Sequence, residues 1–177
     1  MDRDLARALR IMVAQLAVLT AAIHLVWGLP RLPAYASPEA ISLYLNTNAV
    51  PDPRPYLFVA AGVAILLGIV AFWQGWVAPR VIYVLGIVQM AAFILGWALW
   101  HATGHGAPLL SSGGHVHGDT GTIHLLVDHL LELPLEAGSK LAEAMVIVFL
   151  AVLLRYDPAL DRDEERETPA TGDPATE

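Results

Sequence analysis

Long apolar stretches, separated by polar or proline-rich segments, set the pattern of this chain. The stretch from Ile11 to Leu29 has no charged residue. As an α-helix it would be about 28 Å long, close to the roughly 30 Å hydrocarbon core of a bilayer. The stretches Tyr56 to Trp73 and Val81 to Trp100 are likewise uncharged. We therefore predict three membrane-spanning helices, over residues 11–29, 56–73 and 81–100.

A fourth span is predicted over residues 134–154, although charged residues interrupt it. The purely apolar run from Ala144 to Leu154 is too short to cross a bilayer, so the span has to begin near Pro134. If one helix runs through Pro134, five ionisable residues fall in one stripe at ~100° per residue: His129, Glu132, Glu136, Lys140 and Glu143. Such a stripe faces a partner helix or a watery cavity. It predicts either a salt-bridge ladder near one end of the span or a path for protons or ions, unless Pro134 breaks the helix.

The proline-rich segment between the first two spans contains one short helical pattern. Ser37 suits an N-cap, and Pro38 suits the first helical position. An apolar face follows, made by Ile41, Tyr44 and Leu45. We predict a short helix over residues 38–45 that lies on the membrane surface or over the bundle and ends at the Asn46–Asn48 cluster.

A few residues within the spans predict how the helices pack. Gly62 and Gly68 would let a neighbouring helix approach the second span closely. The short connection after Trp73 predicts that the second and third spans are antiparallel neighbours. Gln15 and Gln89 are lone amides inside spans, and we expect each to hydrogen-bond to another helix.

Composition supports a membrane protein and excludes several kinds of site. Only 15% of the residues are charged, against about 25% in a typical soluble domain. Cysteine is absent, which excludes disulfides and thiolate metal sites. The net charge of -7 comes mostly from residues 157–177, which hold eight acidic residues and two arginines. We predict an all-α protein, an integral membrane four-helix bundle over residues 1–156, followed by a disordered acidic tail over 157–177. The chain has no basic patch for nucleic acid.

The basic residues predict the orientation in the cell membrane. Seven of the ten lie on the side of the termini, namely Arg3, Arg7, Arg10, Arg80, Arg155, Arg162 and Arg166. The positive-inside tendency therefore predicts a multi-pass protein with cytoplasmic N- and C-termini. An alternative is a signal peptide cleaved after the A-x-A sequence at residues 34–36. Its apolar run is longer than the ~7–15 residues of a signal core, which favours a retained span.

Six of the seven histidines lie between His101 and His129, and the topology brings His24 to the same outer face. Neutral imidazole is the commonest protein metal ligand, and a cluster without cysteine suits Cu(II), Zn(II) or Ni(II). The candidate ligands are His101, His105, His115, His117, His124, Asp128 and His129. The sequence thus predicts a divalent-metal-binding accessory protein with a histidine-rich outer loop.

Three other interpretations stay open. In the first, the histidine-rich loop is a solvated or pH-responsive segment. In the second, His24 and His101 hold a haem, as histidines on facing helices do in four-helix proteins of the cytochrome b type. In the third, the chain is a non-catalytic subunit that docks a membrane-complex partner or forms a homo-oligomer in the lipid bilayer. Catalysis is not favoured, because no nucleophile–base pair, phosphate loop or complete metal triad is evident.

Two short segments carry a family resemblance. The sequences AAIHLVWGLP (Ala21–Pro30) and PDPRPYLF (Pro51–Phe58) resemble small, uncharacterised multi-pass proteins of haloarchaeal type. This resemblance implies a habitat and no activity. The pair His124 and Asp128 is similar to the His/Asp pairs of cation diffusion facilitators. Those proteins have more spans and a second such pair, so the resemblance does not imply transport here.

Overall fold

The structure is a computed structural model that describes residues 1–35, 37–47, 52–102, 124, 127, 130 and 134–160. All regular structure in these residues is helical. The helices are α1 (Arg3–Gly28), α2 (Leu32–Tyr35), α3 (Pro38–Thr47), α4 (Arg54–Trp73), α5 (Pro79–Ala102) and α6 (Pro134–Tyr156), and a 3-10 turn over Leu29–Arg31 joins α1 to α2.

Among the described residues, four helices are long and apolar enough to cross a membrane: α1 with its extension to Ala34, α4, α5 and α6. This confirms the predicted helical, multi-pass membrane character. The observed helices extend beyond the uncharged runs because polar residues continue them into the interface. At the start of α1, for example, the Leu5 amide donates to Asp2 Oδ1 at 2.7 Å, an N-cap nine residues before the predicted span.

The short helix α3 forms where its sequence predicts. The Ala40 amide donates to Ser37 Oγ at 3.1 Å, so Ser37 is the cap. The helix ends at Thr47, inside the predicted Asn46–Asn48 boundary. Ile41 and Leu45 are exposed within the described part of the chain, as an apolar face that rests on a membrane surface would be.

The four spanning helices pack in the order α4, α1, α6, α5. Helix α1 contacts both α4 and α6, and α6 contacts α5. Only residues 74–78 join α4 to α5, yet these two helices touch much less than the other pairs. The predicted neighbours are therefore packed loosely. Gln89 Nε2 does donate to the Ala61 carbonyl of α4 at 3.1 Å, as predicted, whereas Gln15 is exposed on α1.

The close-approach glycines of α4 and α5 explain this order. A Cβ on Gly62 would lie 2.8 Å from Leu25 Cγ of α1, and one on Gly86 would lie 2.6 Å from Leu150 Cδ1 of α6. Each helix thus turns its small-residue face away from the other. Around Gly68 a Cβ would meet nothing within 4 Å, so the predicted close approach is right for Gly62 and wrong for Gly68.

Near the two chain termini, α1, α5 and the residue after α6 meet. We call this region the terminal end; it is formed by Arg10, Tyr83 and Asp157. Arg10 Nε donates to Asp157 Oδ2 at 2.9 Å and its second guanidinium nitrogen bonds Oδ1. The Tyr83 hydroxyl donates to Oδ2 at 2.6 Å. Asp157 is only 3% exposed, so it belongs to the bundle and the tail predicted from residue 157 begins too early. Residues 161–177 lie outside the described part of the chain.

Candidate functional site

A group of polar side chains lies inside the bundle between α1 and α6, and we call it the polar cluster. Its members are Thr20, His24, Ser139, Lys140 and Glu143. Glu143 is at its centre and is 0% exposed. The Ser139 hydroxyl donates to Glu143 Oε1 at 2.9 Å, and Lys140 Nζ donates to Oε2 at 2.5 Å. Lys140 also approaches the Phe93 carbonyl of α5 at 3.5 Å, which links the cluster to a third helix.

The cluster is deeper than the sequence suggested. Glu143 comes nine residues after Pro134, where α6 begins, and that corresponds to about 14 Å of helix. The expectation that the charged stripe stays near one end of the span therefore fails for Glu143. Pro134 starts α6 and does not interrupt it, because proline fits the first helical turn, where no amide donor is needed.

His24 approaches the cluster from α1. Its Nδ1–H donates to the Thr20 carbonyl at 2.8 Å, since a carbonyl oxygen can only accept. In the neutral ring the lone pair is therefore on Nε2. The imidazole packs against Phe93 and Phe58, with ring centroids 4.4 and 4.9 Å away. Lys140 and Glu143 lie close enough to act on it electrostatically.

Thr20 Oγ1 is an unsatisfied polar atom within the polar cluster. It is buried and has no hydrogen-bond partner among the described residues. Buried polar atoms nearly always have a partner in protein or water. Thr20 therefore adds an unsatisfied polar atom to the buried side of α1.

Nearer to the ends of α5 and α6, a second set of contacts forms what we call the histidine end, made by Trp97, His101 and Glu136. Trp97 Nε1 donates to Glu136 Oε2 at 3.0 Å, and His101 Nδ1 donates to the Trp97 carbonyl at 2.9 Å. The His101 ring stacks on Trp97 at 4.8 Å and is buried. The Trp97–Glu136 bond holds the end of α5 beside the start of α6, so the two ends of the segment 103–133 are joined at its base.

The structure places only part of the predicted metal-binding set. His101 is buried at the histidine end, and His124 is exposed. The other five candidates, His105, His115, His117, Asp128 and His129, lie outside the described residues. Within the described residues, no three or more His, Asp or Glu side chains are grouped so that they could hold a metal ion. The metal site stays a prediction.

The haem interpretation needs His24 and His101 on opposite sides of one iron. His24 packs against Phe93, which precedes His101 by eight residues on α5. Eight residues of helix correspond to about 12 Å. The two imidazoles therefore lie at different depths, and the described contacts do not favour a shared haem.

Sequence reasoning missed two of the cluster's members, Thr20 and Ser139. Both stand four residues before an ionisable residue on the same helix, Thr20 before His24 and Ser139 before Glu143. Residues four apart are neighbours on a helix surface. A search for hydroxyl and ionisable pairs at this spacing within the spans would have found them.

Comparison of the chain with known protein families, curated proteins and solved structures finds no match. The resemblance to small multi-pass proteins of haloarchaeal type gains no support from them. The function has to be inferred from the polar cluster and the histidine end themselves.

Proposed function

We propose that this chain is a multi-pass accessory protein of the cell membrane that binds a divalent metal ion, Cu(II), Zn(II) or Ni(II), at its outer face. The observation that carries the proposal is the closed base of segment 103–133. The Trp97–Glu136 hydrogen bond joins the helices at its two ends. This segment begins two residues after His101 and contains five further histidines.

Joining the two ends of the segment favours metal binding because it lowers the entropy that is lost when the ligands come together. The entropy of bringing the ends of a loop together rises with its length. Folding of the bundle has already brought together the two ends of the 31-residue segment 103–133, so metal binding does not incur that loss of entropy again. Bringing the histidines of the segment to one metal ion therefore costs less entropy than it would in a chain with free ends.

The hydrogen bond of His101 also favours ligation. Metal-binding histidines usually donate their second ring N–H to a carbonyl or carboxylate, which fixes the tautomer and the ring orientation. His101 Nδ1 makes such a bond with the Trp97 carbonyl. We propose His101, His105, His115 and His117 as the first ligands, with His124, Asp128 and His129 next.

Metal titration of the purified full-length protein tests this function. We expect stoichiometric binding of Cu, Zn or Ni, weakened at least tenfold by the double variant His115→Ala/His117→Ala. Ser111→Ala/Ser112→Ala, which removes two non-ligand side chains from the same segment, is the matched control. Equal affinity in both double variants, or no stoichiometric metal in the wild type, would reject the proposal.

A second candidate function, proton movement through the bundle, is favoured by one observation, the full burial of Glu143 at mid-helix. Ionisable residues inside membrane spans are rare and commonly mark ion or proton paths. The side chains of Glu143, Lys140 and His24 are groups that can exchange a proton.

Proteoliposomes with an imposed pH gradient distinguish this candidate. If the cluster moves protons, the wild type dissipates the gradient faster than empty liposomes do, and Glu143→Gln removes the difference. Glu39→Gln, an exposed position on α3, is the control and keeps the wild-type rate. A wild-type rate no faster than that of empty liposomes excludes proton movement.

A further inference from the structure

A cavity of about 420 Å³ lies in the half of the bundle next to the terminal end. Its volume falls within the roughly 300–1,000 Å³ of small-molecule pockets. All four spanning helices line it. Its lining includes Trp73 of α4 together with Leu85 and Val88 of α5, and all three are exposed. The cavity therefore opens sideways, where α4 and α5 are loosely packed and the bilayer surrounds the protein.

The cavity walls select an apolar occupant. Besides Trp73, the polar lining residues are Arg10, Tyr83 and Gln89. Arg10 and Tyr83 are bonded to Asp157, and Gln89 is bonded to the Ala61 carbonyl. The remaining lining is aliphatic or aromatic, apart from one methionine and two glycines. Among the described lining residues, the side chains of Arg10, Tyr83 and Gln89 are thus already bonded within the protein.

The length of the cavity matches a single leaflet. Along α5 its lining runs from Ile82 to Ala92, about 15 Å of helix. That is half of the roughly 30 Å hydrocarbon core. A single extended hydrocarbon chain suits a space of this length, since the chains of each leaflet fill half of the hydrocarbon core.

We propose that this cavity binds one hydrocarbon chain of a membrane lipid, which enters from the bilayer between α4 and α5. An empty apolar space is unfavourable, because its lining loses van der Waals contacts. Lipid chains are the apolar molecules in excess at its opening. The chain lies along Gly68, where a side chain would meet open space.

Native mass spectrometry of the full-length protein tests the proposal. The protein is reconstituted in dioleoylphosphatidylcholine, extracted in mild detergent and washed. We expect one retained lipid per chain in the wild type and its loss in Gly68→Leu. Ala64→Leu, one turn away on the same wall, fills the cavity independently and should also lose the lipid.

Gly96→Leu is the matched control. A Cβ on Gly96 also meets nothing within 4 Å, but this residue of α5 does not line the cavity. Both glycine variants gain the same helix propensity, so only the filled cavity separates them. Gly96→Leu should keep the lipid.

Three outcomes overturn the proposal. The first is equal lipid retention in Gly68→Leu and Gly96→Leu. The second is a lipid-free wild-type dimer, which would assign the opening to a second copy. The third is retention of dioleoylphosphatidylglycerol without dioleoylphosphatidylcholine, which would make a headgroup the recognised part. Equal retention of both lipids supports recognition of the chain.

Discussion

Glu143 and Lys140 are a buried ion pair, and the two residues depend on each other. The carboxylate is fully buried and the ammonium side chain is 15% exposed. Removing two charges from water is costly, and their attraction compensates for this only while both are present. The pair is therefore weak evidence for stability, but either partner alone is strongly unfavourable.

Removing Lys140 alone should destabilise the protein by about 3–5 kcal/mol, because Glu143 is left as an uncompensated buried charge. The double variant Lys140→Met/Glu143→Leu should recover most of that loss, since both charges and their desolvation disappear together. Reversible unfolding in detergent measures the two free energies. If the double variant is as unstable as Lys140→Met, the ion pair stabilises the folded protein beyond the mutual compensation of the two buried charges.

Asp157 makes the stability depend on pH. Burial would raise the pKa of this carboxyl, but the hydrogen bonds from Arg10 and Tyr83 outweigh burial and hold the pKa below its ordinary 3.8. A carboxyl with a lower pKa in the folded state stabilises the protein fully above its unfolded pKa. That contribution disappears as the pH falls through the folded pKa.

The wild type should therefore lose more stability below about pH 4 than Asp157→Asn, whose side chain cannot titrate. Thermal unfolding between about pH 2 and pH 7 measures the difference between the two curves. Asp4→Asn, at an exposed position on α1, controls for loss of a carboxylate elsewhere. Parallel curves for wild type and Asp157→Asn would contradict the assigned role.

At the scale of the helices, α4 offers a matched pair of glycines. A Cβ on Gly62 would lie 2.8 Å from Leu25 Cγ and 3.1 Å from the Ala21 carbonyl, so Gly62→Ala forces α1 and α4 apart. Gly68→Ala places its methyl in open space and gains up to about 1 kcal/mol of helix propensity. We expect Gly62→Ala to lower the unfolding free energy by about 1–3 kcal/mol, and Gly68→Ala to leave it unchanged or raised. Equal effects in denaturant unfolding would refute the observed α1–α4 contact.

The spans were predictable because a bilayer imposes length and apolarity on any helix that crosses it. All four predicted spans match observed helices, and Ser37 was identified as a cap from its position before Pro38. The packing faces were not predictable. Lipid and protein interior are both apolar, so hydropathy does not tell Gly62 from Gly68.

The candidate site was predictable only in part, for a related reason. The ionisable residues of α6 stood out against an apolar background, but their depth depended on where Pro134 began the helix. The role of Asp157 could not be predicted, because in the sequence it stands just before the other acidic residues of the tail. Only the fold brings it to Arg10, which is 147 residues away in the chain.

For the whole molecule, the two ends of the bundle have different roles. The terminal end joins the first and last spans through Asp157, and the histidine end closes segment 103–133 through Trp97 and Glu136. Between them lies the polar cluster, and the apolar cavity occupies the half nearer to the termini. Along the bundle, the polar cluster and the histidine end therefore lie on one side of the apolar cavity, and the bonds among Arg10, Tyr83 and Asp157 lie on the other.

Loosening the histidine end should weaken the proposed metal binding. Trp97→Phe keeps an aromatic ring beside His101 but removes the N–H that donates to Glu136. A hydrogen bond to a charged group contributes about 1.5–3 kcal/mol, so the metal dissociation constant should rise by at most roughly 10- to 150-fold. Calorimetric titration measures it, with Trp76→Phe at an exposed position in the short connection between α4 and α5 as control. Unchanged affinity in a folded Trp97→Phe protein would show that the base of the segment does not govern the site, whereas a selective loss would tie metal binding to the α5–α6 contact.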